Sequence, residues 1–136
     1  MTERGRTEVL VVDDDTDVAE SYASQLRGQF TVETAYDGEE ALDALSPALD
    51  VVLLDRRMPN RSGREVLAAI RDRDLEARVA MVTGEEPDFD IIEMPFDDYV
   101  QKPASKDDLV ETVVRLKRFV NYETQVREYY ALTAKH

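Results

Sequence analysis

Val9-Leu10-Val11-Val12-Asp13-Asp14 is an apolar run that stops on two carboxylates, and the same design returns three times downstream. Val51-Val52-Leu53-Leu54 leads into Asp55, Val79-Ala80-Met81-Val82 into Thr83, and Tyr99-Val100-Gln101 into Lys102-Pro103. Short continuous apolar runs bounded by turn residues read as strands buried on both faces, the kind found in parallel sheets. Parallel strands share a direction, so the polar residues that follow them gather at one edge of the sheet. Open α/β sheets bind ligands outside that edge, where the strand order reverses. An acid pair, a lone Asp, a Thr and a Lys are therefore expected in one crevice.

Between the runs lie helical patterns. Asp15 or Thr16 can cap a helix carrying Val18, Ala19, Tyr22, Ala23 and Leu26 on one face, with Gly28 as its C-terminal stop. Phe30, Val32 and Thr34 alternate as in a half-buried strand, and Asp37-Gly38 turns into a helix with Ala41, Leu42 and Leu45 inward, ended by Pro47. Ser62 and Glu65 form a capping box ahead of Val66, Leu67 and Ile70. Pro87 and Pro95 leave room for barely two helical turns between them, so a fourth helix there is expected to be short, displaced or mobile. Ser105, with Asp107 and Asp108 in the first turn, starts a strong helix bearing Leu109, Val113, Leu116 and Val120. Alternating strand and helix implies right-handed crossovers and a doubly wound sheet.

The 136 residues suit one domain with a real core. We expect a domain over 1–120 and a helical extension over 121–136, whose Tyr122, Val126, Tyr129, Tyr130 and Leu132 lack a complete core of their own. Cysteine is absent, which excludes disulfides and thiolate zinc sites within this chain. No apolar run nears membrane-spanning length, and Met1 to Arg6 is polar, so a soluble cytoplasmic protein with no membrane partner is expected. A net charge of -13 argues against direct nucleic-acid binding by this segment. The basic groups at Arg56, Arg57, Arg61 and Arg64, and at Arg115, Lys117 and Arg118, read as solvated faces or local ion pairs. So acidic a composition fits a salt-rich cytoplasm, with stability lost in dilute buffer.

An Asp carboxylate can accept a phosphoryl group covalently as an acyl phosphate. Positioning and charge neutralisation supply most of the acceleration in such transfers, and a divalent ion serves both. Magnesium takes oxygen ligands, commonly one or two carboxylates. Asp14 and Asp55 can supply these, with Asp13 holding a metal-bound water. Lys102 can pair with Asp55 and later with a phosphoryl oxygen. Thr83 offers a hydroxyl donor, and Gly84 leaves open space beside it. Taken singly, each has a blander reading: a helix start for Asp13-Asp14-Asp15, a loop cap for Asp55, a backbone-bonded hydroxyl for Thr83, a surface charge for Lys102. Their conjunction at separate strand ends favours the phosphoryl site.

These motifs, with Leu53 to Pro59 followed by Gly63, Thr83-Gly84, and Asp97 to Pro103, occur in an order that resembles the receiver domain of two-component response regulators over about residues 8 to 119. The resemblance implies a flavodoxin-like (βα)5 sandwich with a five-stranded parallel sheet of order 2-1-3-4-5. It implies phosphorylation of Asp55 by a partner histidine kinase, with Mg2+ bound by Asp14, Asp55 and the backbone carbonyl of Arg57, assisted by Asp13. Thr83 and Lys102 would contact the phosphoryl group, and Tyr99 would move inward as the switch aromatic. The Lys102-Pro103 bond would be cis. Pro87 to Met94 and Tyr129 to Leu132 further resemble haloarchaeal regulators carrying a HalX domain, so residues 121–136 would begin that domain. A homodimer or a downstream output domain would carry the signal onward. Arg57 and Glu85 should flank the mouth, where an ion pair between them would restrict water.

Two other readings compete. Asp13 to Asp17 also resembles the nucleophile motif of haloacid-dehalogenase-type phosphohydrolases, with Asp13 attacked and Asp15 as acid-base. That reading leaves Asp55 without a role and needs a further acidic pair at a strand end, whereas Asp107-Asp108 open a helix. A phosphorylation-independent docking module would keep the fold without needing the intact acid set.

Overall fold

The computed structural model describes residues 6–56, 58, 62–84 and 96–118. Along the chain run β1 (Glu8–Val12), α1 (Thr16–Leu26), β2 (Thr31–Ala35), α2 (Gly38–Ala44), β3 (Val51–Leu54), α3 (Gly63–Asp72), β4 (Arg78–Thr83) and β5 (Asp98–Gln101). A last described helix, α4, covers residues 106–118. The strands form one parallel sheet of order β2-β1-β3-β4-β5, the expected flavodoxin-like arrangement. The chain steps from β1 out to β2, then back across β1 to β3. The carboxyl ends of β1 and β3 therefore border the reversal point.

Period-two alternation splits the central strands between two apolar layers. Leu10, Val12, Val52, Leu54, Val79 and Met81 face α2 and α3, meeting Ala41, Val66, Leu67 and Ile70. Val9, Val11, Val51, Leu53, Ala80 and Val82 face the other way, toward Ala19, Tyr22 and Leu26 of α1 and Leu109, Val113 and Leu116 of α4. Both faces of β1, β3 and β4 are thus covered, which is why their sequences are continuously apolar. β5 differs from the expectation of two-sided burial: Asp98, Tyr99 and Val100 are half-buried and Gln101 is exposed. Its place at the sheet edge, with β4 alone as neighbour, accounts for this.

Helix starts follow the sequence closely. Asp15 caps α1 through the Asp17 and Val18 amides, and Asp37 caps α2 through the Glu40 amide. Ser62 and Glu65 close the capping box on α3, and Ser105 and Asp108 exchange the same pair of bonds at α4. Helix ends follow it less well. Gly28 is not a left-handed stop; α1 ends at Leu26, whose carbonyl accepts both the Gln29 and Phe30 amides at 3.0 Å. α2 ends at Ala44, ahead of Pro47, with Leu45 already extended while still packing on the core. α3 closes in a Schellman turn made by Asp74 at φ 57, with the Leu75 amide on the Ile70 carbonyl. The short fourth helix expected between Pro87 and Pro95, and the extension over 121–136, lie outside the described residues.

Candidate functional site

Strand pairing carries on one residue beyond the strands and so fixes both acids that flank the reversal point. The Asp13 amide donates to the Ala35 carbonyl at 3.1 Å and the Asp55 amide to the Val12 carbonyl at 3.0 Å. Asp13 and Asp55 are buried, at 3% and 8% exposure, while Asp14 faces solvent. One carboxylate oxygen from each of Asp13, Asp14 and Asp55 lies within 4.8 Å of the others. Lys102 enters from the end of β5, where its amide donates to the Thr83 carbonyl at 2.9 Å. Its Nζ lies 2.5 Å from Asp13 Oδ2 and 3.7 Å from Asp55 Oδ2. Lys102 therefore stands nearest Asp13, which is held from behind by the Asp15 amide on Oδ1, and is also within ion-pair reach of Asp55, as the sequence suggested.

The charges are strongly coupled. Burial, and then the Asp13 charge, push the Asp55 carboxyl from 3.8 up to about 6; Asp14 adds to this, against the opposing Lys102 charge and the Arg56 backbone amide. Burial alone would lower the Lys102 ammonium, yet its bond to Asp13 and the charges of Asp55 and Asp13 outweigh it and raise it above its ordinary value. Ionised, three carboxylates face one ammonium, leaving two negative charges in a narrow space. An all-oxygen donor set with one solvent-facing member fits a hard divalent cation such as Mg2+, which keeps waters in its shell.

Thr83 is buried at the end of β4, and Gly84 beside it leaves open space where a side chain would stand. Tyr99 pairs with Met81 and Gln101 with Thr83, so Tyr99 and Thr83 project from the same face of the sheet, one pair apart. The half-buried Tyr99 ring packs beside Phe96, centroids 6.5 Å apart. The Lys102-Pro103 bond is cis, as expected. Arg57 and Glu85, and with them the expected ion pair and carbonyl ligand, lie outside the described residues.

Two features escaped the sequence reading. A Cβ on Gly63 would stand 2.4 Å from the Asp55 carbonyl oxygen and 2.9 Å from Arg56 Cα, so only glycine lets α3 start against the backbone of the acceptor segment. The Gly63 amide also donates to the Arg56 carbonyl at 2.8 Å. A glycine just after a capping Ser was the available signal. At the opposite end of the sheet, Asp97 receives Arg71 at 2.8 Å, Arg78 at 3.3 Å and the Val79 amide at 2.8 Å. Nothing in the order of the sequence announces that cluster.

Two of the basic residues noted in the sequence form local pairs, as expected: Arg115 pairs with Asp98, and Lys117 reaches Asp50 at 2.7 Å. The phosphohydrolase reading still leaves Asp55 without a role, although Asp55 shares the site with Asp13 and Asp14, while Oδ1 of Asp15 caps α1. Asp108 likewise caps α4. Among the described residues, no helix is long and apolar enough to cross a membrane.

Comparison with known proteins agrees with this geometry. The model of the family described as "Response regulator receiver domain" matches residues 9–114. A candidate transcriptional regulator of Haloferax volcanii is 57% identical over 125 residues, 91% of this chain and 22% of that protein. The transcriptional regulatory protein CpxR of Escherichia coli is 33% identical over 121 residues, 86% of this chain and 52% of CpxR. The chain thus spans about half or less of the length of these relatives. Among solved structures, the BeF3-activated receiver domain of DrrB, a Thermotoga maritima protein, matches with a TM-score of 0.74 at 31% identity, over 82% of this chain and 97% of that one.

Proposed function

Because the chain belongs to the response regulator receiver domain family, we propose that it works as a phosphorylation switch with Asp55 as the acceptor, loaded by a histidine kinase. The observation that carries this is the gathering of Asp13, Asp14 and Asp55 within 4.8 Å of one another, with Lys102 on Asp13 at 2.5 Å. At neutral pH an Asp55 carboxyl raised to about 6 remains largely ionised and able to attack. Its oxygen forms the new P–O bond while the P–N bond of the kinase phosphohistidine breaks, the electron pair passing to the imidazole nitrogen. The product is an acyl phosphate on Asp55. Asp14, Asp55, the Arg57 carbonyl and, through water, Asp13 would hold Mg2+, which when bound neutralises charge on the phosphoryl oxygens.

The chain's own residues do the rest. Lys102 swings between carboxylates and a phosphoryl oxygen, and the Thr83 hydroxyl donates to another. Drawing Thr83 inward vacates space on the sheet face it shares with Tyr99, and Tyr99 follows. Gly84 leaves the entrance open to the donor, and an Arg57 to Glu85 pair limits water. Transfer from a small acyl-phosphate donor and later hydrolysis are self-catalysed. Residues 1–120 form the receiver unit, and 121–136 begin a HalX-type helical domain within a longer cytoplasmic regulator. The output is transcriptional, by analogy with the named relatives, and passes through a homodimer or an attached domain.

The test is intact-mass measurement after incubation with an acyl-phosphate donor at high salt. One phosphoryl group is expected on the parent with magnesium and none with chelator or in Asp55→Ala. Sustained phosphate release by Asp55→Ala would overturn the assignment.

A further inference from the structure

Two ties converge on α1 from opposite sides of the site. Asp13 Oδ1 accepts the amide of Asp15, the residue that caps α1. From the other side, the segment following Lys102 reaches the same helix: the Ala104 amide donates to the Tyr22 hydroxyl at 3.5 Å. Tyr22 is only 8% exposed, and its ring lies in the apolar layer with Leu26, Leu109 and Val113. The ring alone would satisfy that packing; the hydroxyl is additional, and buried phenols keep one only where it has a partner.

Lysine's long stem leaves the ammonium wherever the backbone beneath it is held. For Lys102 that backbone is held on one side by the Thr83 carbonyl at 2.9 Å. We propose that Tyr22 is a positioning residue: by holding the Ala104 amide, its hydroxyl completes the support of Lys102, so that α1 fixes both members of the Lys102 to Asp13 pair. The consequence for transfer rests on the reading of Asp55 as acceptor and Lys102 as the phosphoryl contact; the Tyr22 to Ala104 contact stands apart from it.

Tyr22→Phe removes the oxygen and keeps the ring. Two measurements on the full chain decide the matter: amide hydrogen exchange at Ala104 without metal, and the phosphorylation rate with an acyl-phosphate donor at saturating magnesium. Loss of one hydrogen bond predicts exchange faster by about fivefold and a rate lower by about three- to tenfold. The half-saturating magnesium concentration should stay within about twofold, because no carboxylate is touched. Tyr22→Leu, which keeps apolar bulk without the hydroxyl, should lose rate as Phe does. An unchanged rate in Tyr22→Phe, a loss seen only in Tyr22→Leu, or a rate loss that tracks weakened magnesium binding would each overturn the proposal. If the parent accepts no phosphoryl group, the Asp55 reading fails by itself, and unaltered Ala104 exchange in Tyr22→Phe then overturns the contact.

Discussion

The Asp55 carboxyl sits where burial and neighbouring charge both resist ionisation, and that tension can be measured on the metal-free protein. Its folded value of about 6 exceeds the ordinary 3.8, so the native state holds this proton more tightly than the unfolded chain does. The group contributes nothing differential below about pH 4, and its contribution falls as pH rises to about 6 and then stays level. A shift of this size corresponds to roughly 3 kcal/mol. Asp55→Asn in chelator should therefore melt higher than the parent above pH 6, with the difference shrinking as pH drops toward 4. Equal melting temperatures at pH 7 would show that the site bears no such strain. Gly63 makes a second residue-scale case. A methyl 2.4 Å from the Asp55 carbonyl oxygen has to move backbone, so Gly63→Ala should cost about 1–3 kcal/mol and weaken magnesium binding, whereas Gly84→Ala meets no contact and should leave both unchanged. Paired calorimetric melts and magnesium titrations check this.

At the scale of elements, the strands were legible and the lateral contacts were not. The three apolar runs ending on Asp13, Asp55 and Thr83 could be recognised because burial on both faces leaves a continuous sequence signature, whereas the run ending on Lys102 is the half-buried edge strand β5. Helix starts were equally plain, since Asp15, Ser62 and Ser105 cap through their own side chains. The end of α3 was hidden because Asp74 takes the left-handed position that glycine ordinarily fills. The preference of Lys102 for Asp13 depends on distances across the sheet, which no linear pattern carries. The same holds for Asp97, which joins α3 and β4 to the start of β5 through Arg71, Arg78 and the Val79 amide. Removing this mostly buried carboxylate takes away the charge-assisted bonds to Arg71, Arg78 and the Val79 amide, so Asp97→Ala should destabilise by about 1–3 kcal/mol, measured by urea unfolding. A loss below about 1 kcal/mol would mean that solvent already screens the cluster.

For the molecule as a whole, 30 acidic against 17 basic residues set the conditions under which the switch is stable. Local pairs such as Lys117 with Asp50 absorb some of the imbalance, but a net charge of -13 remains to repel itself. Salt shortens the range of that repulsion, from about 10 Å at 0.1 M to about 3 Å at 1 M. The melting temperature should climb steadily with potassium chloride, and a flat profile would remove the claim that self-repulsion limits stability. The sheet also unifies the chemistry: the chain reversal beside β1 and β3 places two acids from distant sequence in contact, and β4 and β5 bring the hydroxyl and the ammonium to the same rim. The most direct measurement is to phosphorylate the protein with a small acyl-phosphate donor and magnesium, reduce the product with borohydride, and locate the converted residue by peptide mass analysis. Conversion of Asp55 to homoserine, dependent on magnesium, is the predicted result; conversion at Asp13, or at Asp55 with chelator present throughout, would contradict the account.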